Sequence, residues 1–248
     1  PANANMGAEA TYGRGSLTLL DVPARLAAAG IQTVEICHFH LPSRDEAYIG
    51  RLRDALDAAG VELFSLLIDA GDITHPQYGE RDMAWITGWV ETAGKLGATA
   101  TRVIAGKATP GDEALKRSVA GLLRLADVGK ANGVRVMTEN WFGLLATPDA
   151  VRRVLSVVDV GLCADFGNWG GATKYEDLAQ ILPLAESCHA KCGFTDDGQP
   201  DREDYLRCLE LAKAAGFNGP YTLIYDSPTS DDEWAGLALE KAMVEAYL

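Results

Sequence analysis

The 248-residue chain is long enough for one large domain or two small ones, and its formal net charge of −13 excludes the basic footprint that nucleic-acid binding requires. Hydrophobic residues make up 48% and charged residues 23%, the balance of a soluble globular protein acting on a small molecule. No apolar run reaches the roughly 18–20 residues of a membrane span. The opening "PANANMGAEATYGRG" starts on Pro rather than Met, so a few trimmed residues are expected, and it has neither the basic region nor the apolar stretch of a signal peptide. The five cysteines (Cys37, Cys163, Cys188, Cys192, Cys208) are odd in number and match no zinc or disulfide spacing. Reduced thiols and a cytoplasmic location are the expectation.

Along the chain, "ANANMGAEA" is the weakest strand candidate, and from there one phrase recurs: an amphipathic helix, a glycine, a short apolar run. It reads "LAAAGIQTVEI" at Gly30, "LDAAGVELFSLLI" at Gly60, "AGKLGATATRVI" at Gly97, "KANGVRVMTE" at Gly133 and "AKAAGFNGPYTLIYD" at Gly216. A glycine just past a helix supplies a left-handed cap, and the Val/Ile/Leu-rich runs read as strands buried on both faces. "VVDVGLCAD" and "ESCHAKCGF" are two further strands without the glycine. Between strands, "SRDEAYIGRLRDALDAAG" shows Ser43 and Glu46 at capping-box spacing, and "TPDAVRRVL" shows Thr147 before a first-turn Pro148. "GDEALKRSVAGLLRLADVGKANG" and "SDDEWAGLALEKAMVEAYL" are long amphipathic helices. With no Pro- or Ser-rich linker, residues 1–248 read as a single α/β domain, a (β/α)8 TIM barrel. An open doubly wound sheet is the runner-up, and no G-x-G-x-x-G supports it.

Polar groups at the C-terminal strand ends of such a barrel form its active site. Glu139, Asp165 and His189 fall at the ends of the expected fifth, sixth and seventh strands, and two carboxylates with an imidazole suit a divalent ion such as Mn, Mg or Zn. Each acid taken singly reads first as a helix cap or ion-pair partner; three on consecutive strands favour a shared site. Lys191 lies two residues after His189, on the same face. Arg102 is a candidate to hold an anionic or polyhydroxylated ligand, or an internal ion pair. His38 and His40 follow the second strand. The H-x-H of metal-dependent amidohydrolases belongs instead to a first strand, so His38 reads as a substrate contact and His40 as a loop residue. Trp141 and Trp169 read either as a wall against sugar C–H groups or as loop packing. Trp85 and Trp89, four apart on a helix, read as helix or subunit contacts, and Asp69 and His75 as mouth or lid residues.

The order of "GIQTVEI", "GATATRVIAG", "VRVMTENWFG", "LCADFGNWG", "CHAKC" and "GFNGPYTLI" resembles the xylose isomerase-like TIM barrels, through almost the whole chain. That family includes sugar isomerases and epimerases, inosose dehydratases and endonuclease IV. The resemblance implies metal ligands at Glu139, Asp165 and His189. It matches Glu35 to the acid ending strand two and Lys191 to the lysine of a His-x-Lys pattern. Two departures stand out. The strand-eight metal-binding Glu is here Ile224, with Asp226 two residues beyond, and the Asp-x-Gly-His of strand six is Asp165-Phe-Gly-Asn168. The expectation is a sugar or sugar-derivative isomerase or epimerase that moves a proton next to a carbonyl with a divalent metal. Glu139, Lys191 and His38 are its catalytic candidates, and Glu35, Arg102, Asn140, Trp141, Asn168, Trp169 and Asp226 bind substrate. A dehydratase or other lyase on a sugar- or cyclitol-like substrate is the alternative, and a non-catalytic sugar-binding barrel the second. Endonuclease chemistry is excluded by the few histidines. The expected partner is a small sugar-like molecule, with a homo-oligomer implied by the resemblance and neither nucleic acid nor membrane.

Overall fold

The computed structural model describes residues 11–12, 17–229 and 232–248, so the expected first strand lies outside the described residues. The chain divides into two compact units, the first reaching to Ile104 and including Gly121–Met137, the second made of Ala105–Ala120 and Thr138–Leu248.

In the first unit a short antiparallel pair, β1 (Thr11–Tyr12) and β2 (Leu17–Thr18), precedes helix α1 (Val22–Ala28). Parallel strands then alternate with helices: β3 (Thr33–Cys37), α2 (Glu46–Ala59), β4 (Glu62–Ile68), α3 (Gly79–Leu96) and β5 (Ala100–Val103). The later part of α4 (Asp112–Ala131) and the start of β6 (Arg135–Glu139) complete it. The register runs Cys37, Leu67, Arg102, Met137 across the four strands, so their C-terminal ends lie level.

The second unit holds the end of β6, then α5 (Pro148–Leu155), β7 (Gly161–Asp165), α6 (Lys174–Ile181), β8 (Ala185–Lys191), α7 (Arg202–Ala214), β9 (Tyr221–Ile224) and α8 (Glu233–Val244). Asp165 pairs with His189, and Lys191 with Ile224. Seven parallel strands in chain order, each followed by a helix, are the α/β alternation of the (β/α)8 TIM barrel class. Among the described residues no helix is long and apolar enough to cross a membrane. The five cysteines are unbridged, and all but Cys37 are buried.

All five glycines read as caps have positive φ, from 64° at Gly60 to 76° at Gly97 and Gly216. Thr147 caps α5 by accepting from the Ala150 amide, with Pro148 in the first turn. The capping box at Ser43 is corrected. The N-cap of α2 is Asp45, whose carboxylate accepts from the Tyr48 amide at 2.7 Å, while Ser43 donates its hydroxyl to that same carboxylate. A charged acceptor next to the first turn outcompetes a hydroxyl two residues further back.

Helix α4 approaches β6 closely where Gly129 meets Val134 and Val136. A Cβ there would stand 2.6 Å from both the Val134 carbonyl and a Val136 methyl. Gly129→Ala is therefore expected to destabilise by about 1–3 kcal/mol despite the better helix propensity of alanine. Asp45→Ala is expected to lower stability through the lost cap. The midpoint of urea unfolding for each variant checks both, and a Gly129→Ala midpoint at or above wild type contradicts the close approach.

Candidate active site

In the second unit, strand ends bring Glu139, Asp165 and His189 together. One donor atom from each lies within 4.8 Å of the others, and all three residues are buried. His189 Nδ1 is 3.6 Å from Glu139 Oε1 and 3.6 Å from Asp165 Oδ2. These gaps are too long for hydrogen bonds. Donors about 2.1 Å from one divalent ion stand about 3.0–3.6 Å apart at angles of 90–120°, so the spacing and the donor set fit such an ion. Burying two carboxylates around a cation also costs far less than burying them alone.

The chain also holds both acids. Asp165 Oδ1 accepts from the amides of Gly167 (2.6 Å) and Asn168 (2.9 Å) in the turn after β7. Asn168 donates its side-chain amide to Glu139 Oε1 at 2.6 Å. Asn140, 0% exposed, spans β6 and β7: its Oδ1 accepts from the Asp165 amide at 2.7 Å and its Nδ2 donates to the Asp165 carbonyl at 3.1 Å. Its polar atoms thus fix the backbone of a neighbouring acid. Trp169 donates its indole N–H to the Leu145 carbonyl at 3.1 Å and is buried between βα loops, the packing role of the two foreseen for it.

Lys191 leaves β8 on the His189 face. Its stem lies over Gly167, where a Cβ would stand 3.1 Å from Lys191 Cδ, and its ammonium is 3.7 Å from Asp226, whose side chain is 78% exposed. The chain leaving β6 turns sharply, with the Trp141 amide donating to the Glu139 carbonyl at 2.7 Å. Phe142 follows at φ 55°, the one positive-φ non-glycine among the described residues, and its ring lies 4.3 Å from that of Trp141. A bulky residue held there costs of order 1 kcal/mol or more, which the anchors around it must outweigh.

The first unit gathers the other candidates at its own strand ends. Arg102, 4% exposed, pairs with Asp69 at 2.6 Å, the ion-pair role. The Asp69 amide donates to His38 Nδ1 at 3.3 Å. Phe39, Trp85 and Trp89 stand edge-on to the His38 ring at 5.2–5.3 Å, so the helix tryptophans box a histidine. Burial lowers the His38 pKa, against a smaller upward pull from Asp69. With Nδ1 accepting, neutral His38 carries its proton on Nε2. Burial likewise lowers the pKa of His40. Glu35 sits in β3, half-buried and opposite Ser65.

The model of the family described as "Xylose isomerase-like TIM barrel" matches residues 23–241, and the chain belongs to that family. Among solved structures, it is similar to a xylose isomerase-like TIM barrel protein from Mycobacterium smegmatis in complex with magnesium. That match has 17% identity and TM-score 0.71, covering 92% of this chain and 87% of the other. A D-psicose 3-epimerase from Clostridium cellulolyticum H10, solved with D-tagatose, matches at 16% identity and TM-score 0.71 over 92% of each chain. An L-ribulose 3-epimerase matches at 21% identity and TM-score 0.72, over 92% of this chain and 89% of that one. A search of curated proteins found no matching relative.

Two measurements check this geometry. In a pH titration followed by imidazole NMR, His38 is expected to titrate below 6.5 and to show the Nε2–H tautomer at pH 7; a midpoint above 6.5 contradicts the aromatic box. Asn140→Ala leaves a buried amide and carbonyl unsatisfied and is expected to cost about 2–4 kcal/mol of unfolding free energy.

Proposed function

We propose that this family member is an epimerase or isomerase of a sugar or sugar derivative, working with a divalent cation, Mn, Mg or Zn, held by Glu139, Asp165 and His189. The observation that carries the reading is the convergence of three buried donors at adjoining strand ends, with Lys191 two residues beyond the last of them. Solved relatives of the same fold include sugar 3-epimerases, which supports the substrate class. When bound, the cation polarises neighbouring substrate oxygens and stabilises negative charge that develops on them.

Glu139 is the proposed base for the proton on the carbon next to the carbonyl. Asn168 fixes Oε1 of that carboxylate, so its orientation does not depend on substrate. Lys191 is the proposed donor to the substrate oxygen, its stem laid along Gly167 and its ammonium turned toward Asp226. Trp141 offers an aromatic face beside Glu139, suited to sugar C–H groups. Asn140 and Trp169 serve the ligand by holding backbone in place. Glu35 and His38 are proposed ligand contacts at the strand ends of the first unit, His38 as a neutral N–H donor, while Arg102 is engaged by Asp69.

One observation favours a second reading. Strand β9 ends at Ile224 with no carboxylate, and the next acid, Asp226, is largely exposed. A site with one well-held base suits a dehydratase or other lyase, in which the proton taken need not be returned to the opposite face.

Elemental analysis of protein purified without chelator is expected to give about one divalent metal per chain, lost in His189→Ala. Asn168→Ala is expected to weaken Mn²⁺ affinity about 10–100-fold by titration calorimetry. In D₂O, incubation with ketohexoses and ketopentoses should place deuterium at the carbon next to the carbonyl, with Lys191→Met slowing exchange about 10²–10⁴-fold. Loss of water from a cyclitol or sugar without such exchange selects the lyase. Metal-free protein that neither exchanges a substrate proton nor expels water leaves only the binding role.

A further inference from the structure

Helix α8 carries an acid on its packing face. Its buried positions are Gly236, Glu240, Met243 and Val244, at helical spacing, and Glu240 is 0% exposed. Gly236 lets the Tyr225 ring close onto the helix, since a Cβ there would stand 2.1 Å from that ring. Tyr225 in turn meets Phe194 edge-on at 5.3 Å. One helical turn beyond Gly236, the Glu240 carboxyl reaches the ends of β8 and β9. The amides of Cys192, the first residue after β8, and Ile224, the last of β9, face it, short of full hydrogen-bond geometry.

The titratable groups facing Glu240 are the Cys192 thiol from the chain after β8 and the Tyr205 hydroxyl from α7; Cys192 also feels Asp201 and Asp204. Burial keeps both protonated, pushing the Cys192 thiol up to about 12 and the Tyr205 hydroxyl well above its ordinary value. Among the described residues no cation pairs with Glu240. Its carboxyl is pushed up by burial to about 8, with the two amides pulling it back toward its ordinary 4.5.

Lys191 and Ile224 are register partners, so the backbone that Glu240 faces is the rung that carries Lys191. We infer that Glu240 is a positioning residue: kept neutral, it clamps α8 against the Lys191–Ile224 rung and makes the seating of that rung depend on pH. The functional consequence rests on the reading of Lys191 above; the clamp itself does not. A seated carboxyl binds its proton more tightly than a released one, whose pKa returns to about 4.5. The clamp is therefore fully present below about pH 4.5, weakens about tenfold per pH unit above it, and levels off beyond about pH 8.

Hydrogen exchange of the full chain, read by mass spectrometry from pH 6 to 9 and corrected for the intrinsic base dependence, tests this. Peptides covering residues 188–194, 221–225 and 233–244 of wild type are expected to open about 50-fold more at pH 8 than at pH 6, and only about twofold more again at pH 9. Glu240→Gln and Glu240→Met should show no such rise, although their absolute protection will differ. A flat wild-type profile overturns the inference, as does the same slope in a folded variant. If neither variant folds, the wild-type profile decides alone. A protein that takes up no metal would still show the clamp, and a flat profile would leave the metal and proton-transfer proposals standing.

Discussion

The arrangement depends on parallel strand register. In a parallel ladder side chains alternate between faces, so a slip of one residue turns every side chain of a strand over. Here Asp165 pairs with His189, which sets a carboxylate and an imidazole side by side at the ends of β7 and β8. Asn140 adds a second constraint by gripping both the amide and the carbonyl of Asp165 from the chain after β6. Strand β7 is buried along its whole length, so a slip would drive Asp165 into an apolar layer. The packing that enforces the fold is thus the packing that sets the cluster.

Electrostatics then separates two kinds of charged group at strand ends. Arg102 and Asp69 neutralise each other across 2.6 Å. Glu139 and Asp165 are both acidic, and amide donors soften their burial on one side only: Gly167 and Asn168 for Asp165, the Asn168 side chain for Glu139. Asp165 Oδ2, and the same Glu139 Oε1 that Asn168 holds, each stand 3.6 Å from His189 Nδ1. Two anions and an imidazole at that spacing form a donor set for a cation, which the Arg102–Asp69 pair is not.

Much of this was legible in the sequence because it is local. The helix-closing glycines took left-handed φ where a cap was expected, and Thr147–Pro148 began α5. The strand-end acids could be read because the βα rhythm counts off strand ends by itself. The start of α2 was misread because Ser43 and Asp45 compete for one cap, and the outcome turns on which oxygen meets the Tyr48 amide. Asn140 and Asn168 sit beside the acids in sequence, yet which of them would touch side chain and which backbone is decided by the turn geometry of β6 and β7. The box around His38 joins residues from a strand end and a helix far along the chain, and no periodicity announces it.

Glu240 shows both the reach and the limit of such reading. Its helix has a face at positions 236, 240, 243 and 244, so helical spacing alone assigns it inward, while its chemistry assigns it to solvent. The conflict is itself informative, since a charge on a packing face must be paired or neutralised. Glu139 and Glu240 are two buried glutamates that meet this demand in opposite ways. Glu139 has a side-chain donor and an imidazole arranged about it. Glu240 has two loosely facing amides, a phenol and a thiol, and burial holds its proton on. Burial of an acid therefore does not by itself mark a reaction centre. What separates the two residues is whether a side-chain hydrogen-bond donor and further metal-ligating groups converge on the carboxylate, and of the two only Glu139 lies where strand ends bring them together.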